Sequence, residues 1–244
     1  MNANRDWCIQ LVPSLSINNK GGGDGCWLIL PDDKEVELAK QEWTGQRYRS
    51  ACRFTSIRAA VQATGAPLKL AWGSTLASAV NKLQGGDGIL ADSSTLDDLN
   101  ANTVGLQIVC QPGNGGPVED WINVETLSKR LPNVPLVVVN GALDKVRDGY
   151  YPAVFFPALA ATKPYYDAFE SVFFLKPLVD KGLYGWLYRV YPEPWQVVLQ
   201  TPKTVQRGGK SVMSVENVVA MVSETRPTYQ QAVQAMVAAA SSSS

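Results

Sequence analysis

Three glycine-rich segments of this sequence are of the kind that binds anions through backbone N–H groups. Gly73 follows an apolar segment and opens a helical pattern, residues 111–117 read QPGNGGP, and Asn140-Gly141 follows another apolar segment. A strand, a glycine turn and a helix N-terminus together present free N–H groups to a phosphate or a carboxylate. The segment at Gly73 completes neither a dinucleotide-binding nor a phosphate-loop motif. A plain strand-to-helix turn with a helix cap is therefore the alternative interpretation.

Short apolar segments precede these turns and predict the strands that position them. They are residues 27–30, 68–72, 89–91, 106–110 and 135–139. Because such strands alternate with helical patterns, they predict right-handed crossovers and a parallel sheet. Ligands of parallel sheets bind beyond the carboxyl ends of the strands. We therefore predict a ligand-binding site that contains Gly73, Gly113, Gly115 and Asn140.

The composition excludes several classes of function. The chain has no histidine, which removes Ser-His-Asp and Cys-His catalysis and histidine-based metal sites. Its 22 Lys and Arg balance its 22 Asp and Glu, so the chain has no overall excess of positive charge to bind nucleic acid, and only a local basic patch stays open. Carboxylate, lysine and backbone chemistry stay open, but Asp144 and Asp148 read as ordinary turn residues. Without a complete catalytic motif, the sequence favours a non-catalytic protein without a cofactor.

The cysteines and the N-terminus indicate a reducing compartment. Cys8, Cys26, Cys52 and Cys110 form no Cys-x-x-Cys pair. Cys26 and Cys110 lie in apolar segments, where cysteine is usually a small buried hydrophobic residue. This favours structural thiols over metal or redox roles. No apolar run reaches the ~18 residues of a bilayer span, and the N-terminus lacks the pattern of a secretory signal.

The most aromatic part of the chain, residues 164–201, organises its second half. Apolar residues at helical spacing from Tyr165 to Phe173 predict a helix that ends before Pro177. Residues 186–191 and 195–200 read as strands of an antiparallel hairpin, because only Pro192-Glu193-Pro194 separates them. Further along, the sequence predicts a turn at residues 207–210 and a helix capped by Thr225. Residues 218–222 fit a strand or a helix, and their β-branched side chains favour the strand.

Together these patterns predict an α/β fold. We expect a mostly parallel, Rossmann-like sheet flanked by helices and extended by the antiparallel C-terminal hairpin into one continuous sheet. In the first half, Phe54, Ile57 and Val61 predict one helix that ends at Gly65. Because no internal linker is long enough to force two domains, we predict a single domain over residues 24–239. Residues 1–23 are predicted to be an N-terminal tail and residues 240–244 a disordered tail.

Several motifs resemble those of a known family. They are Pro112-Gly113, Asn140, Phe169-Glu170, Leu175-Lys176-Pro177-Leu178 and the hairpin YPEPWQV at residues 191–197. The set resembles the uncharacterised domain of cyanobacterial and plastid proteins that includes Low PSII Accumulation type photosystem II assembly factors and the extra domain of some plastid adenylate kinases. The chain departs from that family at Gly73, which lacks a preceding Pro-Asp, and at Gly141, where proline is usual.

This resemblance implies the cellular process and the compartment in which the protein acts. It implies no chemical reaction, because the family has no agreed enzymatic activity. It implies a non-catalytic factor of photosystem II assembly in the chloroplast stroma, at the thylakoid surface, or in the cyanobacterial cytoplasm. A photosystem II membrane subunit or another assembly factor would be the partner, with peripheral association with the thylakoid membrane also open.

Arg189, Glu193 and Trp195, near the hairpin turn, are the candidate partner-binding residues, since Trp and Arg are frequent interface hot spots. For Trp195, a place in the core is the alternative. The second hypothesis for the whole protein is a small-ligand or nucleotide-binding domain with a regulatory role, which would use the glycine-rich loops at the strand ends.

Overall fold

A computed structural model describes residues 2–15, 25–43, 52–69, 99, 101–113, 118–147 and 150–242. The chain divides into two compact units, residues 1–168 and residues 169–244. The first unit contains a parallel sheet with helices, and the second contains an antiparallel sheet with one helix. The predicted α/β class is therefore confirmed. None of the helices in the described ranges combines the length and apolar character that a membrane crossing requires.

Strands and helices alternate in the first unit. Its elements are α1 (Asn2–Leu15), β1 (Cys26–Leu30), α2 (Asp33–Glu42), β2 (Arg53–Ser56), α3 (Ile57–Ala63), β3 (Leu106–Cys110), α4 (Glu119–Arg130), β4 (Leu136–Val139), α5 (Asp144–Arg147), α6 (Pro157–Ala160) and α7 (Lys163–Asp167). The strands pair in parallel in the order β2-β1-β3-β4. From β1 the chain crosses to β2 at one edge of the sheet, and from β3 it crosses to β4 at the other edge. This topology places a ligand crevice between the carboxyl ends of β1 and β3.

Helices cover both faces of the parallel sheet, which explains why β1, β3 and β4 are mostly apolar. β1 and β3 are buried at every position. On one face the core includes Cys8 and Val12 of α1 with Val36 of α2. On the other face it includes Val61 of α3 and Leu127 of α4.

Three of the predicted parallel strands are confirmed as β1, β3 and β4. The helix predicted through Phe54 is wrong in its first part, because Arg53–Ser56 pair in parallel with β1 and the helix begins at Ile57. Ser56 ends the strand and caps the helix, since its Oγ accepts from the Ala59 N–H at 3.1 Å. Most of the predicted strand 68–72 and all of 89–91 lie outside the described residues.

The predicted N-terminal tail is wrong for residues 2–15, which form α1. Cys8 and Val12 are buried to 0 % and 1 % exposure because α1 packs against β3. The first turn of α1 has no acidic residue and the last has no basic one, so its ends have no charges to complement the helix dipole. Tertiary burial therefore stabilises this helix, as is usual for helices of this length.

The second unit is a four-stranded antiparallel sheet with one helix. Its elements are β5 (Phe173–Asp180), β6 (Leu183–Val190), β7 (Trp195–Arg207), β8 (Lys210–Ser223) and α8 (Tyr229–Ser242), and the strand order is β5-β6-β7-β8. The predicted hairpin is confirmed as β6–β7. The turn at Gly208-Gly209, with φ of 58° and 76°, and the strand at 218–222 are also confirmed; two positive φ values are typical of a type I′ hairpin turn.

Three expectations for the second half of the chain are wrong. The aromatic helix ends at Asp167, and Phe173–Asp180 instead form β5, which pairs with β6 along its whole length. The antiparallel strands form a sheet of their own and do not extend the parallel one. The disordered tail does not begin at residue 240, because α8 continues to Ser242. That residues 24–239 behave as a single domain stays a prediction.

Candidate functional site

The carboxyl ends of β3 and β4 bring two of the predicted ligand-binding residues to one edge of the sheet. Cys110 pairs with Val139, so the loops that carry Gly113 and Asn140 leave the sheet side by side. The Gln111 N–H donates to the Val139 carbonyl oxygen at 2.8 Å and joins the two loops. Gly73 and Gly115, the other two predicted residues, lie outside the described part of the chain.

The backbone of these two loops adopts the left-handed region at several positions. Gln111, Asn140 and Ala142 have φ of 48°, 50° and 46°, and Gly113 has φ of 69°. Residues other than glycine rarely adopt such values. They persist where the surrounding structure imposes them, and they cluster at ligand sites and tight turns. The backbone geometry is therefore compatible with a binding site, but a packing requirement would produce it equally well.

Trp121 of α4 lies against both loops. A Cβ on Gly113 would stand 2.5 Å from Trp121 Nε1, and one on Gly141 would stand 2.9 Å from Trp121 Cη2. The indole is only 2 % exposed, and its ring meets the Tyr166 ring edge-on at 5.2 Å. The Tyr166 hydroxyl also donates to the Trp121 carbonyl oxygen. Packing against Trp121 thus accounts for glycine at positions 113 and 141 without any ligand.

Asp120 is a functional candidate that sequence reasoning missed. It lies in the first turn of α4, where its Oδ2 accepts from the Gly113 N–H at 2.9 Å. Burial raises the pKa of Asp120 to about 6, reinforced by Glu119 and Asp32 and opposed by the Gly113 hydrogen bond. The signal in the sequence was an acidic residue just after a glycine-rich loop, at the start of a helix. The loop after β3 is thus tied to a carboxyl group that titrates near neutral pH.

Gln111 supplies the observation that favours a ligand at this edge. Its side-chain Oε1 is buried and has no hydrogen-bond partner among the described residues. A buried acceptor without a donor is costly, and a bound molecule with an N–H or O–H group would satisfy it. The edge therefore carries one buried acceptor without a partner among the described residues and the Asp120 carboxyl group, which accepts from the Gly113 N–H.

The four cysteines lie in the core of the first unit. All are buried, on the sheet face that α1 and α2 cover, which confirms the burial predicted for Cys26 and Cys110. A hydrogen bond with the Cys110 thiol and burial raise the pKa of Cys8, and burial raises the pKa of Cys52. High pKa values suppress the reactive thiolate form. Within the described ranges, no three Cys, Asp or Glu side chains gather as metal ligands would.

Arg189 and Trp195, two of the three predicted partner-binding residues, stabilise the β6–β7 turn. Arg189 forms an ion pair with Glu170 and donates through Nε to the Glu193 carbonyl oxygen at 3.1 Å. Its guanidinium lies over the Tyr191 and Trp195 rings at 5.7 Å and 5.3 Å. Trp195 is 4 % exposed and belongs to the core, which is the alternative to partner binding that the sequence left open for it. Glu193 is exposed to solvent.

Within the described residues of the second unit, α8 covers one face of the antiparallel sheet and no helix covers the other. Ala232 and Met236 of α8 pack on the covered face against Leu187, Val197 and Leu199. Strand pairing places the following residues together on the opposite face, hereafter the open face: Phe173, Leu175, Pro177, Val179, Tyr184, Trp186, Tyr188, Val190, Gln196, Val198, Gln200, Asn217, Val219 and Val222.

The open face carries no charged residue, although Asp, Glu, Lys and Arg make up 18 % of the chain. Many of its apolar side chains are well exposed, for example Leu175 at 51 % and Val222 at 58 %. In a sheet with one face in water, the residues along each strand normally alternate, so that apolar side chains face the core and polar side chains face the water. A contiguous exposed apolar surface instead marks an interaction site. Sequence reasoning missed this surface because it is assembled from alternate residues of four strands.

One family model matches nearly the whole chain. It is the family described as a domain of unknown function, DUF1995, and the match spans residues 1–234. No curated protein and no solved structure is significantly similar to the chain. The matched range begins before α1 and ends within α8, so it includes both units. The motifs therefore do come from an uncharacterised domain family, and the chain belongs to the DUF1995 family.

Proposed function

We propose that this protein is a non-catalytic assembly factor that binds an apolar surface of a partner protein through the open face. The observation that supports the proposal is the lack of any charged residue on that face in a chain with 18 % charged residues. An uncharged face suits an apolar partner surface, because no charge has to lose its water on contact. Burying apolar area contributes about 25 cal/mol per Å².

The open face is also preorganised for binding. Its side chains stand on a backbone that is paired along the whole of β5–β6 and, between β6 and β7, from Tyr184 to Tyr188, and α8 supports the opposite face. Tyr184, Trp186 and Tyr188 lie along β6 in the middle of the face. Aromatic residues are enriched at interface centres. Little conformational entropy remains to be lost on docking, which favours affinity.

A photosystem II membrane subunit is the partner that the family resemblance supports. Subunits of a large membrane complex have apolar surfaces that only the finished complex buries, and an assembly factor would cover such a surface in the meantime. The site of action would be the thylakoid surface facing the chloroplast stroma or the cyanobacterial cytoplasm. Other assembly factors are the alternative partners.

The test is co-purification from solubilised thylakoid membranes with a triple variant, Leu175→Ser, Tyr184→Ser and Val219→Ser. We expect the recovered photosystem II subunit to fall by about tenfold or more, since three apolar contacts of ~1 kcal/mol each are removed. Thermal unfolding should change little because all three side chains are exposed. Recovery at the wild-type level would show that the open face does not bind the partner.

The first unit offers a matched control for this test. Val154 and Phe155 are exposed apolar residues, at 87 % and 72 %, and are not part of the antiparallel sheet. The double variant Val154→Ser, Phe155→Ser removes a similar apolar surface from the other unit. Recovery of the partner should stay at the wild-type level. An equal loss of recovery would mean that the association is a non-specific response to exposed apolar area.

Binding of a small ligand at the carboxyl ends of β3 and β4 is the second candidate. The buried Gln111 Oε1, unpartnered among the described residues, favours it. Calorimetric titration of the purified protein with adenine and guanine nucleotides tests this candidate. Binding that is lost in a Gln111→Ala variant would support a regulatory ligand site, and no binding up to millimolar concentration would leave the assembly role alone.

A further inference from the structure

The β7–β8 hairpin continues beyond the rest of the antiparallel sheet. β6 pairs with β7 only as far as Tyr184 opposite Gln200. β7 and β8 stay paired from Thr201 opposite Glu216 to Arg207 opposite Lys210. At ~3.3 Å per residue this two-stranded ribbon is about 20 Å long. We call residues 201–216 the arm.

The arm has no third strand and no helix against it among the described residues. Its described side chains are exposed, apart from the intermediate Thr201 and Val205. A two-stranded ribbon on its own is marginally stable in water. The arm is therefore an element that gains from contact with an external surface.

The charge of the arm selects the kind of surface. Near its base, Lys203 forms an ion pair with Glu216 at 2.8 Å. Beyond that pair, residues 204–215 read TVQRGGKSVMSV and contain no acidic residue, while Arg207 and Lys210 flank the Gly208-Gly209 turn. The tip is thus cationic, on a chain whose formal net charge is zero. An anionic surface is its electrostatic complement.

Apolar side chains adjoin the cationic tip on both sides of the ribbon. Val212 and Met213 are well exposed, Met213 at 70 %, and neighbouring residues of a strand point to opposite faces. A protein partner that docked on one face of the ribbon would leave the other apolar face in water. The interfacial region of a bilayer surrounds an inserted tip on all sides and provides anionic headgroups above an apolar layer.

We propose that the arm binds an anionic lipid membrane. Arg207 and Lys210 supply the charge that attracts the headgroups, and Val212 and Met213 enter the interface. With two cations and few apolar residues, the binding is reversible and weakens with salt. This inference goes beyond the proposed function, because its ligand is lipid and it stands on different residues; its consequence is that the open face is held close to membrane-embedded partners.

The test is co-sedimentation of the purified full chain with vesicles that contain no protein. Vesicles of phosphatidylcholine with phosphatidylglycerol should bind about tenfold more protein than phosphatidylcholine alone, and added salt should remove the difference. The double variant Arg207→Glu, Lys210→Glu should lose the preference for anionic vesicles. A Met213→Ser variant should bind more weakly to anionic vesicles than wild type at low salt.

A matched control is available on α2. Lys34 and Lys40 are exposed, so Lys34→Glu, Lys40→Glu makes the same change of net charge in the other unit and should leave vesicle binding unchanged. Equal binding to both kinds of vesicle, or wild-type binding by the tip variant, would overturn the proposal. If the tip variant instead binds vesicles normally but loses the photosystem II subunit, the arm contacts protein. Failure with vesicles alone leaves the open-face proposal intact, because that proposal is tested by partner recovery.

Discussion

The two candidate sites differ in what surrounds their residues. One site is the edge formed by the carboxyl ends of β3 and β4, and the other is the open face of the antiparallel sheet. Gly113 and Gly141 stand against Trp121, which is almost fully buried. Leu175 and Tyr184 are about half-exposed, and no described residue of the second unit covers their face. Glycine at a strand end thus indicates close packing as readily as a ligand. A docking surface is recognised instead by the missing charge on one side of a sheet, which depends on strand register.

The largest effect should come from replacing Gly113 by alanine. The new Cβ would stand 2.5 Å from Trp121 Nε1, at a φ of +69°, so backbone strain adds to overpacking. We expect the free energy of unfolding to fall by about 3 kcal/mol or more, measured by urea denaturation.

Gly65 is the matched control, because its φ is +70° and nothing lies within 4 Å of the Cβ that an alanine would add there. Gly65→Ala should cost only about 1 kcal/mol. An equal loss of unfolding free energy at the two positions would contradict the packing role of Gly113. The loops after β3 and β4 would then be the better candidate for a binding site.

The next effect compares the two faces of the antiparallel sheet. Leu187 is on the covered face and buried, whereas Leu175 is on the open face and half-exposed. Leu187→Ala should lower the free energy of unfolding by about 3 kcal/mol, and Leu175→Ala by less than about 1 kcal/mol. A large loss for Leu175→Ala, measured by thermal unfolding, would mean that the open face is structural.

A third effect concerns pH. Burial raises the pKa of Asp120 from 3.8 to about 6, so the folded state holds this proton more tightly than the unfolded state. The resulting stabilisation is present below about pH 4 and is lost as the pH rises through about 6, in total by roughly 3 kcal/mol. Asp120→Asn should remove this loss and flatten the profile of unfolding free energy between these pH values.

Asp167→Asn provides the control for the pH profile. Asp167 is an exposed residue of α7 that pairs with Lys163 at 2.6 Å, and Asp167→Asn is measured beside Asp120→Asn as a second variant that removes one carboxyl group. A constant difference in stability between wild type and Asp120→Asn across the range would show that Asp120 does not titrate there.

The smallest effect separates Arg189 from Glu193. Arg189→Ala removes the ion pair with Glu170 and the contacts with two aromatic rings, so thermal unfolding should show a loss of about 1 kcal/mol. Glu193→Ala should change stability by less than about 0.5 kcal/mol. If Glu193→Ala instead weakens recovery of the photosystem II subunit at unchanged stability, the β6–β7 turn also contacts the partner.

The sequence by itself determined the elements whose local signals are strong. Apolar or nearly apolar segments between helical patterns predicted β1, β3 and β4 as buried parallel strands. Pro192-Glu193-Pro194 and Gly208-Gly209 predicted the two hairpin turns, because proline and glycine restrict or permit the required backbone angles. The side-by-side position of Gly113 and Asn140 followed from the same parallel arrangement.

Only the tertiary structure decided the elements whose local signals are weak or ambiguous. α1 has no charged ends and is held by burial against β3. Residues 173–177 fit a helix as well as a strand, and pairing with β6 decided for the strand. The raised pKa of Asp120 and the uncharged open face depend on residues far apart in the chain. Strand register and burial produce these two features, because the free energy of a side chain depends on neighbours that come from other elements.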